Sequence, residues 1–175
     1  MSGAPRRVHQ GAEAADDRGQ PVEDGLGDEE LAGALAAHYL AAYRAAPTGP
    51  EGEAIAGQAR IALRSAAARA EALGSPGQAV GFLEQALEVA TDDAQRADLL
   101  DQAGKAATKA ARGDIAVGFL ERATEIRQTL GDRIALGRTI GLQASALTSA
   151  RRREQAIALL EPAVADLADL ADDPV

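Results

Sequence analysis

Residues 79–89 read AVGFLEQALEV, and residues 116–126 read AVGFLERATEI. Eight of the eleven positions are identical at an offset of 37, and one of the differences, Val89 to Ile126, exchanges one branched apolar residue for another. A third copy stands 40 residues further on, where Ala156, Leu160, Glu161 and Ala163 answer Ala116, Leu120, Glu121 and Ala123. Self-similarity at such a period is the signature of a solenoid, in which each unit buries its apolar face only against its neighbours. Three copies meet the number that a self-supporting stack needs.

Each copy follows another helical segment and a short turn: Ser75-Pro76, then Arg112-Gly113-Asp114, then Arg151-Arg152-Arg153. Ser75 is a fair N-cap with Pro76 at the first helical position, where a missing N–H costs nothing. Thr91-Asp92-Asp93 and Gly131-Asp132 separate the units and supply caps for the helices after them. The unit is therefore helix, turn, helix. First helices are expected near 93–111 and 133–150, and second helices near 76–90, 114–130 and 153–171, so that residues 93–130 and 133–171 form complete pairs. Pro162 lies inside the last of these and removes the bond to residue 158, which predicts a kink or break there.

Upstream, Leu31, Leu35, Tyr39 and Tyr43 recur every four residues and predict an amphipathic helix over 30–45. The cluster Pro47-Thr48-Gly49-Pro50 ends it, and a long helix follows over 51–73, closed by Gly74. Residues 1–29 set Arg6, Arg7 and Arg18 against Glu13, Asp16, Asp17, Glu23, Asp24, Asp28 and Glu29, with almost nothing large and apolar. Such a stretch cannot offset its own ordering entropy, so it is read as a disordered acidic leader ahead of a helical domain over 30–175.

Composition narrows the function classes. Among 175 residues there are 43 alanines and, as aromatics, only Tyr39, Tyr43, Phe82 and Phe119, which favours helices brought close by small side chains over sheets. Cys is absent, so disulfides, thiolate zinc sites, iron–sulfur clusters and a Cys nucleophile are excluded together. The formal charge of −9 repels polyanions, and no nucleic-acid partner is expected. Neither a signal-like apolar run nor a stretch approaching the roughly 20 apolar residues of a membrane span is present, so no membrane partner is expected and the expected compartment is the cytoplasm. Arg outnumbers Lys sixteen to two and Asn is missing, a bias that fits a GC-rich bacterial genome.

On these residues the chain resembles the tetratricopeptide repeat, whose pattern sets small residues at three sites per unit where helices touch closely. Ala67, Gly104 and Ala144 match the small site of the first helix; Ala79, Ala116 and Ala156, then Ala86, Ala123 and Ala163, match the two on the second. Leu83, Leu120 and Leu160 fall at one large apolar site, and Leu63, Leu100 and Ile140 at another. Departures are the spacings of 37 and 40, against the usual 34, and Ala66, Ala103 and Gln143 where a large apolar residue is the rule. The resemblance implies an all-α fold, a right-handed superhelical stack of antiparallel helix pairs with about seven helices. The run LAAHYLAAYRAAP from Leu35 also resembles the C-terminal helical arrays of large bacterial ATPase regulators, including those fused to nucleotide cyclase domains.

No residue pattern calls for catalysis. His9 and His38 lie far apart in sequence, with no second His in the helical region for a metal or a catalytic pair, and no metal or cofactor is expected. Gly104-Lys105 resembles the tail of a phosphate loop, but Leu99 stands where its first Gly belongs and Ala106 where Ser or Thr belongs. Arg151, Arg152 and Arg153 read as a solvated turn, with an acidic-partner site as the sharper alternative. The resemblance places a concave face on the first helices: Ile61, Arg64, Ala68 and Glu71; Asp98, Asp101, Lys105 and Thr108; Arg138, Gly141, Ser145 and Thr148. It implies a non-catalytic scaffold binding a peptide, helix or neighbouring domain there. The family's carboxylate clamp uses Asn, which this chain lacks, so chaperone-tail binding is not expected. The alternative is a detached regulatory segment of an ATPase or cyclase-type signalling regulator, and a third reading is self-association through the terminal helices.

Overall fold

A computed structural model describes the backbone over residues 23–45 and 48–171, with side chains over the same span except at 23–26, 28, 29 and 167–171. Among the described residues the chain is all helical, with seven helices: α1 (Glu23–Ala45), α2 (Pro50–Ala72), α3 (Pro76–Glu88), α4 (Asp93–Lys109), α5 (Gly113–Leu130), α6 (Arg133–Ser149) and α7 (Arg153–Ala171). Most ends fall within two residues of the sequence expectation. The exception is α1, which begins at Glu23, inside the stretch read as a leader; residues 1–22 lie outside the described residues. Successive helices pack on one another, and α4 also touches α6 directly.

The three turns within the pairs are one structure built three times. Gly74, Ala111 and Arg151 all take the left-handed conformation, with φ of 76°, 57° and 63°. The amide after each reaches back to close the helix: Ser75 N donates to Ala70 O at 2.8 Å, Arg112 N to Ala107 O at 2.9 Å, and Arg152 N to Leu147 O at 2.8 Å. Together with the bonds from Gly74, Ala111 and Arg151 to Glu71, Thr108 and Thr148, this is the Schellman closure, which satisfies carbonyls the helix end would otherwise orphan. Only the first copy spends a glycine on it. The next helix then starts on the same register, with Ala79, Ala116 and Ala156 donating to the carbonyls of Ser75, Arg112 and Arg152.

Between pairs, Asp92 and Asp132 cap the helices that follow, accepting from Gln95 N at 2.8 Å and Ala135 N at 3.0 Å. Ser75 occupies the cap position of α3 as expected, but its hydroxyl makes no cap bond. Its ψ of 58° is set by the preceding Schellman turn and lies outside the extended range in which a cap side chain reaches forward.

Small residues set the helix spacing. Of the nine small sites in the repeat register, Ala67, Ala79, Ala86, Gly104, Ala116, Ala123, Ala144 and Ala156 are buried, and Ala163 is half-buried. At Gly104 an added Cβ would stand 2.5 Å from Leu120 Cγ, so α4 and α5 meet there with no room for a methyl group. Leu63, Leu83, Leu99, Leu100 and Leu120 fill the layers between the helices.

Two expectations at the ends of the chain are corrected. On α1 the buried face is Ala36 and Leu40, with Tyr39 and Tyr43 half-buried, while Leu31 and Leu35 are exposed. A four-residue spacing gains about 40° per step on a helix of 3.6 residues per turn, so the stripe winds off the core within three steps. In α7 the helix continues through Pro162 to Ala171, so of the expected kink or break the break does not occur. Pro162 is exposed, and the bond it forfeits lies on the solvent side.

Candidate functional site

Three clefts open on the face formed by α2, α4 and α6, and all three share Lys105. One, about 310 Å³, lies between α2 and α4 and is lined by Arg64, Ala68, Glu71, Gln102 and Lys109. The largest, about 470 Å³, lies between α4 and α6 and takes in Asp98, Asp101, Asp132, Arg138 and Leu142. A third, about 390 Å³, is bordered by Thr108, Leu120, Leu142 and Ser145. The first-helix residues singled out from the sequence, Arg64, Glu71, Asp98, Asp101, Lys105, Thr108, Arg138 and Ser145, are thus gathered along one groove, whereas Thr148 lines none of these clefts. The hydroxyls of Thr108 and Thr148 are turned inward, each donating to the carbonyl four residues back, that of Gly104 at 2.8 Å and that of Ala144 at 2.9 Å.

The groove wall is braced by a polar network that the register alone did not disclose. Arg127, on the last turn of α5 and only 7% exposed, donates to Asp98 at 2.6 Å and to Asp101 at 3.1 Å. The hydroxyl of Thr139, fully buried on α6, donates to both oxygens of Asp101, at 2.9 and 3.0 Å. One carboxylate therefore ties α4, α5 and α6 together. Burial by itself lowers the proton affinity of the Arg127 guanidinium, but the bonds and charges of Asp98 and Asp101 outweigh it and raise its pKa above the ordinary arginine value. The Arg127 Nε is left buried without a hydrogen bond. Beside this cluster, Thr124 donates to the buried Gln143 at 3.0 Å.

A signal for these residues was present in the aligned copies. Arg127 and Thr124 stand where the preceding unit has Ala90 and Leu87, and Thr139 and Gln143 stand where it has Leu99 and Ala103. Four polar side chains at positions that are apolar in the preceding copy must find partners when buried, and they find them across α4, α5 and α6. Elsewhere on the groove Lys109 pairs with Glu71, joining α4 to α2.

His38 and the turn at Arg151, Arg152 and Arg153 line none of these clefts. His38 is exposed on α1 and stands edge-on to Tyr39, with ring centroids 6.0 Å apart. Lys105 follows Gly104 in the middle of α4, away from any helix N-terminus that would cradle a phosphate. Arg152 bonds Gln155 at 2.6 Å, and Arg151 and Arg153 are exposed at the turn. Among the described residues no group of three or more His, Cys, Asp or Glu is placed to hold a metal ion, and no helix is long and apolar enough to cross a membrane. Compared with known proteins, the chain matches no family model and no curated protein.

Proposed function

We propose that the chain is a tetratricopeptide-like interaction module, a right-handed stack of helix pairs that binds a peptide or helix of a partner protein in the groove across α2, α4 and α6. The observation that carries this reading is the threefold recurrence of one turn, Gly74, Ala111 and Arg151, on one small-residue register. The same turn recurring at spacings of 37 and 40 residues repeats the placement of the first helix in each unit, and repeats built that way present extended concave surfaces. Four groove residues do no structural work that would require them to be polar: Arg64, Lys105, Arg138 and Ser145 are exposed and belong to no hydrophobic layer.

A displayed random peptide library tests this without a named partner. Peptides selected on the full chain are re-measured against a variant whose groove is filled by Ala68→Trp and Ser145→Trp, two exposed positions. A groove binder loses at least about tenfold in affinity. Selected peptides that bind the filled variant equally well would sink the reading.

A second mode of contact has its own observation. Ile157, Leu160 and Val164 form an exposed apolar strip on α7, at 51%, 37% and 62% exposure. In the two earlier copies the positions of Ile157 and Leu160 are Val80 with Leu83 and Val117 with Leu120, all buried. Self-association through this strip predicts a mass that rises with concentration in light scattering and falls back to the protomer with Ile157→Ser and Leu160→Ser. A mass independent of concentration excludes it.

A further inference from the structure

Across the groove, the acids are engaged and three cations are not. Glu71 is paired with Lys109, Asp98 and Asp101 with Arg127, and Asp132 caps the N-terminus of α6. Arg64, Lys105 and Arg138 are exposed and make no hydrogen bond or ion pair among the described residues. Between Arg133 and Ser149, α6 carries no acidic residue at all. The whole chain has a formal charge of −9, so three cations left without a partner on one face run against the molecule's own balance. Complementary charge steers encounter and rejects wrong partners, and here the chemistry it selects is a carboxylate.

Resting on the groove reading above, we infer that the occupant is an extended acidic segment of a partner protein, with side-chain carboxylates three to four residues apart that meet Arg64, Lys105 and Arg138 in turn. Directly packed helices such as α4 and α6 have axes about 8–10 Å apart, and α2 faces α4 across the cleft that both line. By the repeat register Lys105 sits four residues further along its helix than Arg64, and Arg138 seven residues back from Lys105. At a rise of about 1.5 Å per residue these shifts are about 6 and 10 Å, so Lys105 and Arg138 stand on the order of 14 Å apart at their backbones, and Arg64 and Lys105 no less than about 11 Å. An extended chain advances about 3.3 Å per residue and covers those steps in three to four residues. The contacts are to side chains, so a free C-terminus is not required.

The probes are fluorescein-labelled, end-capped peptides titrated with the full chain and followed by anisotropy. One carries acids at the inferred spacing, EGSEGSSE; one has the same composition with the acids together, EEEGSGSS; one has Lys for every Glu of the first. The Gly and Ser positions keep all three flexible, so spacing and sign are the variables. The spaced probe is expected to bind at least about threefold more tightly than the clustered one, and the lysine probe not to bind. Arg64→Gln, Lys105→Gln and Arg138→Gln each weaken the spaced probe by about threefold to fivefold, while Arg122→Gln, exposed on α5 outside the clefts, leaves it unchanged. Thermal melts of the four variants overlay on the parent. Equal affinity for the spaced and clustered probes, groove variants that bind like the parent, an equal loss on Arg122→Gln, or no binding up to about 1 mM overturns the inference. Displayed peptides that occupy the groove but are neutral or basic overturn it too, while leaving the groove reading intact.

Discussion

At the scale of single residues, the three copies of one turn form a natural experiment on the left-handed conformation. Gly74 takes φ of 76° without penalty, whereas Ala111 and Arg151 hold 57° and 63° with a Cβ crowding the carbonyl that follows. Replacing either by Gly relieves about 1 kcal/mol or slightly more, partly offset by the greater freedom of Gly in the unfolded chain. Ala111→Gly and Arg151→Gly should therefore raise the melting temperature by about 1–3 °C, and Gly74→Ala should lower it by a similar amount, as read by calorimetry. Gly104 obeys the opposite logic. Ala is the better helix former by about 1 kcal/mol, and the other copies carry Ala67 and Ala144 at this site, so the aligned sequence alone recommends Gly104→Ala. In the structure the new methyl group would meet Leu120 Cγ at 2.5 Å, and Leu120 is fully buried with nowhere to move. Overpacking of that kind costs about 1–3 kcal/mol, so a urea melt of Gly104→Ala should show net destabilisation. A neutral or stabilised variant would mean that α4 and α5 are further apart than they stand here.

Between elements, the contact of α5 with α4 and α6 has exchanged apolar filling for a charged hub. Asp101 accepts from Arg127 and Thr139 at once, with its side chain 16% exposed. Asp101→Ala strands a buried guanidinium and a buried hydroxyl, and is expected to cost about 2–4 kcal/mol in urea melts. Adding Arg127→Leu to it removes the stranded charge and should recover part of that loss, so the double-mutant cycle gives a coupling of about 1 kcal/mol or more. Additive single effects would show that Arg127 is held by something other than these acids. This hub also marks the limit of what the sequence disclosed. The helix boundaries are carried by periodicity and by caps such as Asp92, which are local and therefore legible, whereas the small contact sites and the groove positions rest on the resemblance to the tetratricopeptide pattern. Arg127 and Thr139 act through partners 26 to 38 residues away, and only the comparison with Ala90 and Leu99 in the earlier copy flags them as misplaced. On α1, the four-residue pattern of Leu31 to Tyr43 named the right helix but only half of its packed stripe, Tyr39 and Tyr43, because the neighbouring helix selects the buried face and the spacing alone does not.

For the whole molecule, a stack whose units bury surface only against neighbours should be least stable where a neighbour is missing. One register position samples this directly. Leu83 and Leu120 are 2% and 0% exposed, each lying between two first helices, whereas Leu160 at the same position of the third copy is 37% exposed beside half-buried Ala163. Leu83→Ala and Leu120→Ala leave cavities in a packed layer and are expected to cost about 2–5 kcal/mol. Leu160→Ala removes a side chain that already faces solvent, and its cost should stay below about 1 kcal/mol. Native-state hydrogen exchange should rank the helices likewise, with α7 opening at lower free energy than α4 and α5, because the Arg133–Asp166 pair at 2.7 Å that ties α7 to α6 is exposed on both sides and worth little. The same comparison separates an open end from a covered one. If α7 of two chains meet through Ile157, Leu160 and Val164, then Leu160→Ala becomes costly only at protein concentrations where the dimer forms, since association stabilises by mass action. A cost for Leu160→Ala as large as that for Leu120→Ala in dilute solution, where no dimer scatters, would contradict the exposure of α7 and the end-of-stack account built on it.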